Sequence, residues 1–256
     1  MSADWLFEIG VEELPYKTCQ SVLAQLRGKG SAEAPGLVFE ILAAERLVGA
    51  SESGDSGGKG GKGGKGDRGG KGESAGKGDG GDAVDAVAFA ETRLKVMVAP
   101  RRIAVLVTDV PHEQTAQTQR YRGPRADVAF GPDGAPTRAG EGFARGKGLA
   151  PAALQRETID GAEFVVAVTQ AERRATGLVL PDVCRRLITS LQIPRGMRWG
   201  AKPSGADDYL RFSRPLRSLV CVFAGRAVPF DFYDLRAGDV AQGHRVLGRP
   251  VIVDQA

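Results

Sequence analysis

Arginines interleaved with aromatic residues make the segment 194–217 the part of this sequence best suited to binding another molecule. The segment reads PRGMRWGAKPSGADDYLRFSRPLR, and its six Arg and Lys residues against Asp207 and Asp208 give a net charge of +4, equal to that of the whole chain. Trp199 and Phe212 stand among these cations. Planar guanidinium groups beside aromatic rings suit phosphate oxygens and stacked bases. The pattern therefore favours contact with a polyanion such as RNA.

The same segment also has a purely structural interpretation. Trp199 and Phe212 could be core anchors beneath a loop, with the arginines pairing with acids elsewhere, because the aliphatic stem of arginine packs well. Residue types alone leave both interpretations open. The candidate binding residues of the segment are Arg198, Trp199, Arg211, Arg214 and Arg217.

Two smaller basic groups lie outside that segment. Arg101 and Arg102 follow Pro100 in a predicted turn between two strands, where they could grip a phosphate. His244 and Arg245 lie in a predicted loop, where the imidazole is better placed to donate to a phosphate or to stack on a base than to act as a general base. These four residues join the candidate set for RNA or partner binding.

Neither nucleophilic catalysis nor metal binding is indicated by the other polar residues. His112 and His244 are the only histidines, no GxSxG motif is present, and the three cysteines form no CxxC pair. The adjacent acids Glu12 and Glu13 precede a predicted helix, and complementing its positive end is a sufficient reason for them. We expect no catalytic residue, metal ligand or cofactor site on this chain.

Composition indicates a globular protein that permits a polyanionic partner. A hydrophobic content of 42% over 256 residues is enough for a core in one large domain or two small ones. No apolar run approaches the ~18 residues of a membrane span, and Asp4 stands where a secretory signal would be basic. We expect a cytoplasmic protein, and its sequence pI of about 9.0 makes it mildly basic.

The hydrophobic pattern mixes strands and helices without strict βαβ alternation. This favours an α+β fold with packed helices and a mixed, largely antiparallel sheet. Predicted helices cover residues 15–27, 36–48, 138–148 and 176–191. Predicted strands cover residues 4–10, 84–89, 94–98, 103–107, 163–169 and 251–253, and a hairpin covers 218–233 with a type II′ turn at Gly225-Arg226.

A glycine-rich segment interrupts this pattern at residues 51–82. It holds 15 of the 36 glycines, has equal numbers of basic and acidic residues and contains no large apolar side chain. Such a composition does not offset the entropy of ordering, so we predict a disordered insert in a surface loop. A phosphate-binding loop is not supported, because Gly72 to Lys77 has the wrong spacing and Gly78 stands where Ser or Thr would hold magnesium.

Short motifs in a fixed order carry a resemblance to one family. They lie along nearly all of the chain outside the glycine-rich insert, and their combination and spacing resemble the beta subunit of the bacterial heterotetrameric glycyl-tRNA synthetase. Val11 and Val246 replace a Thr and an aromatic residue usual in the family. The motifs are EIG at 8–10 with EELP at 12–15, APRR at 99–102, GP at 123–124, GFARG at 142–146, MRWG at 197–200, FSRP at 212–215 and GHR at 243–245.

That resemblance implies a division of labour between two subunits. The alpha subunit would hold the site that activates glycine with ATP and magnesium, and the beta subunit would serve tRNA recognition and charging within an alpha2-beta2 heterotetramer. The resemblance also implies a B3/4-type α+β domain similar to one in phenylalanyl-tRNA synthetase. A chain of this length would be the N-terminal portion, without the anticodon-binding region.

The domain assignment follows from the insert and the resemblance. Residues 1–50 and 83–256 are assigned to one α+β domain interrupted by the insert, and a second domain could begin after about residue 230. Two further functions remain open: an editing-type hydrolase of aminoacyl-tRNA, and a scaffold that chiefly holds the alpha subunits. The lack of a nucleophile with a nearby base disfavours the hydrolase.

Overall fold

The chain divides into two compact units. The computed structural model describes residues 1–28, 35–48, 89, 91–131, 133–159, 161–199, 209–244 and 246–255, so the predicted insert at 51–82 and the candidate Arg245 lie outside the described residues. The first unit comprises Met1–Thr115 and Arg174–Ala256, and the second comprises Ala116–Arg173. Neither of these boundaries was predicted from the sequence.

A seven-stranded sheet forms the first unit. The strand order is β11-β12-β9-β1-β3-β2, with β10 also paired to β9, and all pairings are antiparallel except that of β12 with β9. This confirms the predicted α+β class with a mixed, largely antiparallel sheet. The strands are β1 Ser2–Val11, β2 Leu94–Ala99, β3 Arg102–Pro111, β9 Leu216–Phe223, β10 Arg226–Ala227, β11 Asp231–Phe232 and β12 Leu235–Gly238.

Three helices of the first unit bury apolar stripes in the core on one face of this sheet. They are α1 Tyr16–Arg27, α2 Leu37–Ala44 and α5 Thr176–Ser190. In α5 the buried residues recur at helical spacing, as predicted, and join the same core as the odd-numbered residues of β1. That core contains Trp5 and Phe7, which stack with ring centroids 6.2 Å apart.

The other face of the sheet meets a small ribbon. It is formed by β13 Val240–Ala241 and β14 Val251–Ile252, which pair antiparallel. Ala241 packs with Val220 and Val222 of β9 in a separate small cluster. A second two-stranded ribbon of the first unit pairs β7 Met197–Trp199 with β8 Leu210–Phe212.

The second unit has its own sheet and core. Its three antiparallel strands lie in the order β4-β6-β5, and its core gathers Ala129, Ala144, Leu154, Val165 and Ala167. The elements are β4 Thr118–Arg125, α3 Ala126–Ala129, α4 Arg138–Gly146, a 3-10 turn Pro151–Ala153, β5 Gln155–Ile159 and β6 Ala162–Gln170.

The two chain segments that leave and re-enter the first unit are joined by hydrogen bonds. Gln114 N–H donates to the Arg174 carbonyl at 3.0 Å, and Thr176 N–H donates to the His112 carbonyl at 2.8 Å. The Gln114 side chain is buried, donates to the Glu45 carbonyl and accepts from the Arg174 N–H. The second unit is thus an insertion whose two ends are fixed side by side in the first.

Three local predictions are wrong. The return strand of the predicted hairpin pairs with β9 only at Arg226–Ala227, and Asp231–Phe232 pairs with β12 instead. Phe89 is helical rather than extended, and the remaining residues of that predicted strand lie outside the described part of the chain. The β9–β10 turn is centred on Ala224 and Gly225, which both have positive φ (52° and 70°), so it resembles type I′ rather than type II′. No helix among the described residues is long and apolar enough to cross a membrane.

Candidate functional site

A cavity of about 880 Å³ opens beside β1 and β9 in the first unit. The turn between β2 and β3, the start of β9, residues 241–244 and four residues between 248 and 253 complete its wall. Four of the nine predicted binding residues line it: Arg101, Arg102, Arg217 and His244. Separate parts of the sequence therefore meet at one site.

Glu8 is the buried acid of this cavity. Its side chain is 7% exposed, and its Oε2 lies 3.3 Å from Nη1 of Arg102, whose side chain is 44% exposed. Burial raises the pKa of the Glu8 carboxyl above its usual value, and the Arg102 charge partly opposes that rise. A second guanidinium nitrogen of Arg102 donates to the Gln242 carbonyl. The guanidinium is thus fixed between β1 and the loop before β14.

A second acidic and basic pair stands at the rim of the cavity. Arg217 Nε lies 3.5 Å from Oε1 of Glu12. The backbone joins these segments, since Glu12 N–H donates to the Pro215 carbonyl at 3.1 Å and Val11 N–H donates to the Arg101 carbonyl at 3.0 Å. Glu12 therefore contacts an arginine, whereas the sequence alone explained this acid by its position at the positive end of a helix.

Glu13, which does not line the cavity, contacts the cavity residue Arg101 and the ribbon residue Arg214. Its carboxylate forms an ion pair with Arg101 at 2.5 Å, and its carbonyl accepts from Nε of Arg214 at 3.0 Å. Such exposed pairs contribute at most about 1 kcal/mol to stability. Their main effect is to fix where the guanidinium groups stand.

His244 is oriented by the backbone that follows it. Its Nδ1 accepts from the N–H groups of Val246 and Leu247, at 3.3 and 3.1 Å, which leaves Nε2 to carry the ring proton. The loop closes tightly, because a Cβ added to Gly248 would lie 2.0 Å from the backbone nitrogen of His244. A glycine is required at that position for His244 to keep its place in the cavity wall.

The β7–β8 ribbon carries the other arginines of the predicted basic and aromatic segment. Arg198 faces Arg211 directly across the two strands, and its guanidinium carbon lies 5.6 Å from the centre of the Tyr209 ring. Phe212 is fully buried, and Trp199 is half-buried with its Nε1 donating to the Phe212 carbonyl at 2.8 Å. These two rings are anchors of the ribbon, in agreement with the structural interpretation, and Tyr209 is the exposed ring beside Arg198.

The polar cavity residues that were not predicted candidates include Glu8, Ser218 and Gln242. Glu8 stood in the sequence within an apolar run, and only its even position in β1 shows that it faces away from the core. Ser218 and Gln242 carry no motif and join the site because their segments pair or fold beside β1. Their positions follow from strand pairing, which no local pattern specifies.

The described cavity residues offer charged and hydrogen-bonding groups to a ligand. No cluster of three or more metal-ligating side chains occurs among the described residues. Cys184 and Cys221 lie 3.7 Å apart, sulfur to sulfur, and both are fully buried. Burial raises the pKa of the Cys184 thiol well above its usual value, which makes it a poor nucleophile.

Comparison with known proteins identifies the family. Residues 81–256 match the sequence model of a family described as the glycyl-tRNA synthetase beta subunit. This chain belongs to that family. The match confirms the resemblance found in the sequence, and all nine candidate binding residues lie within the matched segment.

Individual relatives extend the match to the N-terminal residues. This chain is 33% identical over 254 residues, 99% of its length, to the glycine–tRNA ligase beta subunit of Desulfitobacterium hafniense strain Y51. It is 32% identical over 247 residues, 96% of its length, to that of Desulforudis audaxviator, and 38% identical over 161 residues, 63% of its length, to that of Geotalea uraniireducens. The chain spans 29%, 28% and 22% of these three relatives.

Proposed function

We propose that this chain is the tRNA-recognition and assembly portion of a glycine–tRNA ligase, which attaches glycine to its tRNA with ATP. Membership of the glycyl-tRNA synthetase beta subunit family supports this function more than any other observation. The activating site, with its ATP and magnesium, would lie on a separate alpha subunit in an alpha2-beta2 assembly in the cytoplasm. The α+β fold of the first unit is compatible with a B3/4-type domain.

The arginine ribbon supports contact with RNA. Arg198 and Arg211 project from facing positions on β7 and β8, and Arg214 follows two residues after β8. Planar guanidinium groups bind phosphate oxygens through paired hydrogen bonds, and an exposed ring such as Tyr209 offers a surface for a base. A short two-stranded ribbon holds these groups at fixed spacing, which suits a backbone with regularly spaced charges.

Exposed apolar residues in the loop before β14 favour a second candidate, a surface that faces the alpha subunit. Val246 and Leu247 are more than three-quarters exposed, and Ile252 of β14 is also largely exposed. Apolar side chains clustered at a surface are typical of a protein interface. The scaffold function is therefore assigned to the β13–β14 region and RNA contact to the β7–β8 ribbon.

Replacing Arg198 and Arg214 with alanine tests the RNA assignment. We expect weaker binding of glycine tRNA and a salt dependence whose slope falls by about one for each phosphate that the variant no longer neutralises. Binding is measured by salt titration, and in the assembled enzyme the KM for tRNA should rise. Unchanged binding and charging would contradict the RNA function.

A matched double variant controls for the removal of charge alone. Arg226→Ala with Arg236→Ala removes two exposed arginines from β10 and β12, away from the ribbon, so tRNA affinity should fall less. Equal reductions in the two variants would show a general charge effect. Capture of the alpha subunit is measured with both, and its selective loss with Arg198→Ala and Arg214→Ala would assign the ribbon to the subunit interface instead.

A further inference from the structure

We propose that the cavity beside β1 binds an aminoacyl group, with its primary ammonium at Glu8 and its oxygen atoms toward Arg102 and Arg217. This inference rests on the proposed function, since it takes glycine attachment as the reaction served. It assigns a ligand to the cavity, which is a different surface from the β7–β8 ribbon proposed to contact tRNA. The cavity binds this group and takes part in no chemical step.

The Glu8 carboxylate can accept further hydrogen bonds from such a ligand. Its contact with Arg102, at 3.3 Å, is longer than the 2.7–2.9 Å of a strong charge-assisted hydrogen bond. A carboxylate has about four lone-pair sites, and a primary ammonium can donate to one or two of them. A buried carboxyl whose pKa is raised by desolvation also gains most when a cation arrives, because the ligand then compensates its buried charge.

The alternation of charge in the cavity selects the ligand class. Arg102 and Arg217 are paired with Glu8 and Glu12 in the cavity, and the third lining arginine, Arg101, is paired with Glu13. A chain of phosphates would meet two carboxylates, and a simple cation would meet three guanidinium groups. A ligand with an ammonium next to oxygen acceptors complements both signs at once.

A hydroxyl and an imidazole group in the cavity wall can also form hydrogen bonds with the ligand. Ser218 of the neighbouring strand β9 pairs with Gly10, two residues after Glu8, and His244 carries its ring proton on Nε2. The volume of about 880 Å³ falls in the usual 300–1,000 Å³ range of small-molecule sites. The aminoacyl group could come from free glycine or from glycine esterified to the terminal adenosine of tRNA, and the experiment distinguishes these sources.

Binding to the unmodified 256-residue chain is the first test. Four probes are compared by calorimetry: 3′-glycylamido-3′-deoxyadenosine, its N-acetyl derivative, adenosine and free glycine. We expect the free-ammonium conjugate to bind about tenfold more tightly than its N-acetyl derivative, since acetylation removes the charge. Binding of glycine equal to that of the conjugate would indicate the free amino acid as the source, and preference for the conjugate would indicate charged tRNA.

A matched pair of variants locates the ammonium. Glu8→Gln preserves the shape of the buried side chain and should weaken the conjugate about tenfold, whereas Glu45→Gln, at an ion-paired glutamate that does not line the cavity, should leave it unchanged. Thermal unfolding confirms that both variants fold. If the unmodified chain binds the conjugate and its N-acetyl derivative equally, or binds none of the probes, the aminoacyl site is wrong.

The outcome separates this proposal from the proposed function. Glu8→Gln should leave tRNA binding at low salt within about twofold of the unmodified chain, because the ribbon contacts do not involve Glu8. Loss of probe binding with intact tRNA binding therefore bears on the cavity alone. Failure of tRNA binding in the unmodified chain would instead remove the proposed function.

Discussion

The two faces of β1 differ in what they contact. Trp5, Phe7 and Ile9 point into a buried apolar core, while Glu8 points from the opposite face toward an open cavity. One strand thus supplies both the centre of the fold and the acid of the candidate site. Period-two alternation allows this, since successive side chains lie on opposite sides of the sheet.

Stability and binding are therefore specified by alternate residues of one short segment. A one-residue slip in the pairing of β1 would exchange the two faces. Pairing with β3 and β9 on both sides fixes the register, with Glu8 opposite Ala104 and Val220. Substitutions at neighbouring positions should accordingly have separable effects on folding and on ligand binding.

Substitution on the core face of β1 should cost the most stability. Ile9→Ala removes a side chain that is 3% exposed, and we expect a decrease of about 2–5 kcal/mol in the free energy of unfolding. Leu6→Ala removes the same number of carbons from the half-buried side chain three positions earlier on the opposite face, and should cost less than half as much. Denaturant unfolding of both variants measures the difference, and equal decreases would contradict the assignment of faces.

A smaller effect is expected from the wall of the cavity. Gly248→Ala would place the Cβ 2.0 Å from the backbone nitrogen of His244, so backbone atoms must move. We expect the free energy of unfolding to fall by about 1–3 kcal/mol. A Cβ at Gly238 meets no atom within 4 Å, and Gly238→Ala should be neutral or stabilising by up to about 1 kcal/mol. Thermal unfolding ranks the two variants, and a neutral Gly248→Ala would show that the loop is less tightly closed.

The smallest of the three effects on stability is expected from Glu8 on the cavity face of β1, where the titration of its carboxyl makes stability depend on pH. The folded pKa of Glu8 is raised, so the unsubstituted protein should lose stability as pH rises from the ordinary glutamate value through the folded one. Glu8→Gln lacks this titration and should become the more stable protein toward neutral pH, with the difference vanishing in acid. Unfolding free energies across that range provide the test. The opposite slope would mean that attraction to Arg102 outweighs burial.

The sequence predicts much of the fold because periodicity is local. The strand at 4–10 and the helix at 176–191 were predicted almost to their observed bounds, since apolar residues recur at spacings that distinguish the two structures. Phe89 was misassigned because a short apolar pattern fits a strand or a helix. The second unit was not anticipated, since its boundaries at 116 and 173 coincide with no shift in composition.

The candidate site was only partly predictable because its contacts are distant in sequence. Arg102 and His244 were proposed from their types, but the hydrogen bond from Arg102 to Gln242 joins residues 140 positions apart. Glu8 was missed because its burial is fixed by pairing partners on both sides of β1. The rings of Trp199 and Phe212 were ambiguous from residue types alone, and their burial depends on tertiary packing.

The hydrogen bond between Gln114 and Arg174 bears on how the gene encoding this protein could change. Because the exit and return of residues 116–173 are already clamped together, a linker of a few residues could replace that stretch without opening the larger sheet. The smaller unit could accordingly be gained, lost or exchanged as a whole during evolution, while the strand register of β1 that positions Glu8 stays the same.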